Sequence, residues 1–163
     1  MTRLLAIVTI GACCVFAGTA AGANGTPKDL WATVNLCDTT THDNMMGVRA
    51  SMPGDAEHTK MYMRFTAQYY DRTNRLWSDV KGSGVSRWIY VGSGNYARRQ
   101  GGYTFAFDPP AGGKTFVLRG AVDFKWTKSH RIVRTAHVLT KSGHPGTPGA
   151  DPKTYSAALC NIT

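Results

Sequence analysis

With 163 residues, 42% of them hydrophobic and 18% charged, the chain carries too much core-forming material for intrinsic disorder and about enough for one domain. Four cysteines are too few for a disulfide-dense mini-scaffold. The formal net charge of +9 favours polyanionic partners such as an envelope polymer, but the basic residues are scattered, with Arg98-Arg99 their one doublet, which argues against nucleic acid and also fits a merely solvated basic surface.

The chain opens with Met1-Thr2-Arg3, an apolar run from Leu4 to Gly18 and the small-x-small site Ala21-Gly22-Ala23. These are the three parts of a secretory signal peptide, so residues 1–23 are predicted as a helical leader and residues 24–163 as one exported domain. The apolar run is shorter than the ~20 residues of a membrane-crossing helix, and no span is expected in the mature chain. Ile10-Gly11-Ala12-Cys13 has the form of a lipobox, and the alternative is a lipid anchor at the cell surface through Cys13. Against that anchor, Cys14-Val15-Phe16 is not a polar tether.

Cleavage after Ala23 leaves Cys37 and Cys160, which in an oxidising compartment are predicted to form a disulfide. Asp29 to Cys37 alternates Leu30, Ala32, Val34 and Leu36 against polar neighbours and reads as a first strand. A polar loop over Asp38–Asn44 leads to a second, Met45–Met52, with Met46, Val48, Ala50 and Met52 on one face. Lys60–Tyr70 is a third, placing Met61, Met63, Phe65, Ala67 and Tyr69 opposite a side that includes Lys60, Arg64, Thr66 and Gln68. Leu76–Val80 and Arg87–Val91 are shorter strands, Gly92–Gly102 is dominated by glycine, and Thr104–Asp108 follows.

The strongest pattern is a hairpin over Lys114–Thr140. Its first arm sets Phe116, Leu118, Gly120, Val122, Phe124 and Trp126 on one face; Thr127–His130 turns; the return arm offers Ile132, Val133, Ala136, Val138 and Leu139 for burial. Residues 141–153 are rich in Gly and Pro, Thr154–Ile162 resumes an apolar pattern, and residues 141–163 are predicted to form a C-terminal strap that brings Cys160 beside the end of the first strand. The sum is an all-β chain, an antiparallel two-sheet sandwich of about 7 to 9 strands.

The run Phe107, Pro109 or Pro110, Phe116, Leu118, Gly120, Val122 resembles the loop and following strand of immunoglobulin-like and fibronectin type III domains. The likeness covers roughly Val48 to Thr140 and implies an immunoglobulin-like sandwich, without any site. Phe116 stands where those families often have Tyr, so their corner hydrogen bond is not expected, and this strand holds no cysteine for an antibody-type bridge. The chain is also similar to small secreted bacterial proteins, a likeness that supplies no activity.

Catalytic chemistry finds little support. No Gly-x-Ser-x-Gly elbow, phosphate loop or zinc spacing is present, and Glu57 is the single glutamate. Of the five histidines, His42 beside Asp43, or His58 with Asp55 and Glu57, could offer metal ligands from loops, but solvated loop residues are the simpler reading; no metal or other cofactor is expected. His130, His137 and His144 have no paired spacing. The candidate binding surface is Trp77, Trp88, Tyr90, Tyr96, Arg98 and Arg99, since aromatic faces and guanidinium groups suit sugars and anionic polymers. The competing reading makes Trp88 and Tyr90 core and Arg98-Arg99 a solvated loop. The expectation is a secreted non-catalytic domain that binds an unknown protein or anionic envelope polymer; the alternatives are a structural envelope protein and a hydrolase with an unrecognised site.

Overall fold

The computed structural model describes residues 28–163. The predicted leader 1–23, with Cys13 and the cleavage position after Ala23, lies outside the described residues. Alternation of apolar and polar side chains sets the strands: β1 (Trp31–Thr39), β2 (His42–Pro53), β3 (Lys60–Asp71), β4 (Leu76–Asp79), β5 (Ile89–Ser93), β6 (Arg98–Ala106), β7 (Phe116–Lys128), β8 (Arg131–Leu139) and β9 (Cys160–Ile162). All strand pairs are antiparallel. The first sheet has the order β1-β2-β6. The second is built on β3 and β7, with β4 and β5 sharing the free edge of β3 and β8 and β9 sharing that of β7.

One core lies between the two sheets. Ala32, Val34, Met46, Val48, Ala50 and Met52 from the first meet Met61, Met63, Phe65, Leu118, Val122, Phe124 and Trp126 from the second. Four methionines in that set fill irregular gaps that branched side chains would leave. Gly120 sits on the inward face of β7, where a Cβ would meet the Val48 and Thr140 methyl groups at 2.7 and 2.8 Å. Its lack of a side chain is what lets the sheets approach there.

Three expectations are corrected. The strand expected over Thr104–Asp108 starts earlier, inside the glycine-rich stretch: β6 begins at Arg98 and pairs with Met45–Pro53 of β2. Glycine serves packing there, since a Cβ on Gly101 would lie 2.9 Å from Met63 Sδ and from a Val91 methyl. Ile132 and Val133 are not buried but 61% and 55% exposed. A β-bulge between Trp126 and Thr127 shifts the register, and Arg134 instead covers the Trp126 ring at 4.5 Å. Lastly, the hairpin turn is tighter than Thr127–His130: Ser129 and His130 alone reverse the chain, both at positive φ, as a two-residue hairpin requires.

The C-terminal strap runs along the free edge of β1. Lys141 N donates to Ala32 O, Val34 and Ala157 exchange backbone hydrogen bonds at 2.9 and 3.0 Å, and Asp151 N donates to Asn35 O. This cover explains why Thr33 and Asn35 are buried although polar. Thr33 Oγ1 shares a hydrogen bond with Ser156 Oγ at 2.7 Å, and Asn35 Nδ2 donates to Pro148 O. The strap ends in β9, which pairs with Phe116–Leu118 of β7, and the Cys37–Cys160 disulfide then ties the first sheet to the second.

His144 of the strap stacks on Trp31 with ring centroids 4.2 Å apart. Burial lowers its pKa from the ordinary 6.5, so folding favours the neutral ring. A depressed pKa means that this contribution is fully present above about 6.5 and is lost as the pH falls through the folded-state value. Acidification from about pH 7.5 to 5 is expected to change the Trp31 fluorescence, and His144→Phe to flatten that change while keeping the stack. Identical titration curves for the two proteins would sink the assignment.

Candidate functional site

The outward face of the second sheet is where the chain concentrates aromatic and charged side chains. Because alternate residues of β3 and β7 point into the core, Tyr62, Arg64, Thr66, Gln68 and Tyr70 of β3 and Arg119, Ala121, Asp123 and Lys125 of β7 point out. Antiparallel register then lays them in rows across the strands. One row is Tyr90–Tyr62–Lys125; the next brings Trp88 to Arg64, Asp123 and His137; further along lie Asp79–Gln68–Arg119 and Trp77–Tyr70.

The rows are locked by direct contacts. Lys125 Nζ lies 4.0 Å from the Trp88 ring centre and 5.1 Å from that of Tyr62, and the Arg64 guanidinium is 4.9 Å from Trp88. Tyr62 and Tyr90 meet at 5.4 Å, and Tyr70 and Trp77 at 5.3 Å. Arg119 stacks on Trp77 at 4.2 Å and donates from Nε to Gln68 Oε1, whose amide in turn donates to Asp79. Arg64 donates twice to Asp123 Oδ2, at 2.8 and 3.2 Å. His137 Nδ1 lies 2.7 Å from Asp123 Oδ1, and since a carboxylate can only accept, the ring proton sits on Nδ1.

Burial alone pushes the Asp123 carboxyl up, but the hydrogen bonds from His137 and Arg64 and their charges outweigh it and hold it below the usual carboxylate range. Asp123 is therefore a fixed anion and not a proton donor near neutral pH.

Three predicted residues, Trp77, Trp88 and Tyr90, come together on this face. Tyr90 is 55% exposed and Trp88 half-buried, so neither is core; Ile89 between them packs inward. Tyr96, Arg98 and Arg99 lie elsewhere, at the start of β6. There Arg99 stacks on Tyr96 at 3.6 Å and lies against Gly92, while Arg98 is 3.8 Å from Asp29. They do not join the other three because β6 belongs to the first sheet. The site residues that sequence reading missed are Tyr62, Arg64, Gln68, Tyr70, Asp79, Arg119, Asp123, Lys125 and His137. Most were visible as the polar side of two strong strands, but only the pairing of β3 with β7, and of β4 and β8 with their outer edges, makes them neighbours.

Most of the loop groups considered as metal ligands have structural partners. His42, Thr39 and Thr41 converge on Asp151 Oδ2, tying the strap to the β1–β2 hairpin. Asp55 accepts from Glu57 N and Thr59 Oγ1, and His58 bonds Asn95. Among the described residues no three His, Cys, Asp or Glu side chains converge as a metal set, and no helix is long and apolar enough to cross a membrane. No family model, curated protein or solved structure matches the chain.

Proposed function

We propose that the chain is an exported, non-catalytic domain, an immunoglobulin-like sandwich, that binds an anionic polymer of the cell envelope or its surroundings along the outward face of the second sheet. The sandwich reading is supported by two antiparallel sheets around one core and by the Pro109-Pro110 link entering β7. What carries the binding reading is the row system in which Lys125, Arg64 and Arg119 each lie over an indole ring. Aromatic rings hold the cations extended at the surface, where they meet an anion at little cost in side-chain entropy. From Tyr62 to Tyr70 the face runs about 27 Å along the strand, a length suited to a chain-like ligand.

A hydrolytic reading is less well supported. The two carboxylates of this face, Asp79 and Asp123, belong to strands on opposite sides of β3, and their register partners Gln68 and Arg64 are four residues apart. Each is already engaged on the face, Asp79 by the Gln68 amide and Asp123 by Arg64 and His137, and Asp123 is held ionised, so it is not the general acid that a glycosidase pair needs. His137 and Asp123 form a dyad, but the neighbouring hydroxyl that could serve as nucleophile is Thr66, a mostly buried side chain in the sheet face.

Binding to heparin is expected to weaken with added salt, and Trp88→Ala or Lys125→Glu to weaken it about tenfold or more at constant salt. Arg98→Glu makes the same charge change away from the face and should have a much smaller effect. Equal losses from Lys125→Glu and Arg98→Glu would mean that net charge alone drives retention, and the proposed face would be wrong.

A further inference from the structure

The rows of the second sheet are not uniform along β3. Between the Tyr62, Tyr90 and Trp88 end and the Tyr70 and Trp77 end, the outward residues become small, with Thr66 and Ala121 forming a floor. The result is a hollow of about 260 Å³ bordered by Arg64, Asp123 and His137 on one side, by Gln68 and Asp79 on the other, and by the exposed Val85, which is bridged to Thr66, at the edge of the sheet. It is a polar basin between two aromatic shoulders.

Its chemistry differs from that of a site for a bare polyanion. Arg64 and the Gln68 amide offer donors, whereas the carboxylates of Asp79 and Asp123 can only accept. His137, with its proton on the nitrogen that faces Asp123, leaves Nε2 as a further acceptor when neutral. The carboxylates of Asp79 and Asp123 make the hollow a less favourable place for a phosphate, sulfate or carboxylate than the flanking cations. They would accept hydrogen bonds from hydroxyl groups, which both donate and accept. The shoulders add apolar ring faces of the kind on which the C–H face of a sugar stacks. The cations Lys125 and Arg119 lie over the shoulder rings, outside the hollow, where they would meet charges carried beside such a sugar.

We infer that this basin is a saccharide subsite and that the polymer bound by the face is an acidic polysaccharide, one sugar ring seated over Thr66 and Ala121 and its charged substituents or neighbours lying against Lys125, Arg64 and Arg119. The inference rests on the reading of this face as an anion-binding surface and adds the class of the ligand. The volume fits a single ring with its hydroxyls and is below that of pockets for drug-sized ligands.

The test compares the full chain binding polygalacturonate with its binding of inorganic polyphosphate at matched charge and ionic strength. Polygalacturonate is expected to bind at least about tenfold more tightly. Ala121→Leu, which raises the floor, should abolish most of that preference while leaving polyphosphate binding unchanged, and Gln68→Ala, which removes a donor and an acceptor from the rim and frees Arg119 from its hydrogen bond, should weaken polygalacturonate binding several-fold more than polyphosphate binding. Gln68 is on the solvent side of β3, so its truncation tests the basin even if Ala121→Leu fails to fold. Equal binding of the two polymers, or variants that weaken both alike, would overturn the saccharide subsite and leave the anion-binding face standing. If neither polymer binds, the reading of the face and the subsite fall together.

Discussion

Replacing Cys37 and Cys160 together with serine is expected to lower the free energy of unfolding by about 4 to 5 kcal/mol. The bond closes a loop whose ends are 123 residues apart in sequence, so without it the unfolded chain regains most of its freedom. Against a total stability of about 5 to 15 kcal/mol for a domain, that loss is large. The native state is weakened in a particular place. β9 has three residues and pairs only with the start of β7, so once the link to β1 is cut it keeps that short pairing and the burial of Ile162. Residues 141–159 would then detach from the β1 edge, exposing Thr33 and Asn35 and opening Lys141 and Lys153 to trypsin. Urea unfolding of the double variant, or of native protein with and without reductant, measures the effect. Superimposable curves would show that the strap is held by its backbone hydrogen bonds alone.

Trp126→Ala is expected to cost about 3 to 5 kcal/mol, the range for deleting a large buried aromatic. Trp126 is the largest of the fully buried side chains, its indole Nε1 donates to Pro53 O at 3.0 Å, and Arg134 closes the ring off from solvent. Alanine would leave a cavity between β7 and the end of β2 and remove the donor to the Pro53 carbonyl. Trp126→Phe separates these contributions. It keeps much of the volume and loses the hydrogen bond, so a smaller loss, about 1 to 2 kcal/mol, is expected. Denaturant midpoints of the two variants decide the matter: an alanine variant no less stable than the phenylalanine one would mean that packing at this position contributes little.

Much of the fold was legible because its core strands obey a period of two. Met46 to Met52, Met61 to Ala67 and Leu118 to Trp126 each alternate strictly, and each buries its apolar side. The pairing of Cys37 with Cys160 was readable from their being the two cysteines left after the predicted leader, and the structure contains it. β6 was less visible because glycine at 101 and 102 has the same letter in a turn as in a tightly packed strand. Trp88-Ile89-Tyr90 was ambiguous for a different reason: three consecutive apolar residues satisfy either choice of inward face. The exposure of Ile132 and Val133 was invisible because a bulge changes register without changing composition.

The candidate site divides along the same line. Local alternation by itself determined that Arg64, Gln68, Arg119, Asp123 and Lys125 occupy the polar sides of their strands, because side-chain direction in a strand depends only on the parity of position. Only the tertiary structure decided which of them are neighbours. Register between β3 and β7 joins residues far apart in the chain, such as Tyr62 with Lys125 and Arg64 with Asp123, and register between β3 and the short strands β4 and β5 adds Trp77 and Tyr90, through backbone pairing that no local pattern encodes. That pairing also sent Tyr96, Arg98 and Arg99 away with the first sheet, although they stand next to Trp88 and Tyr90 in the chain.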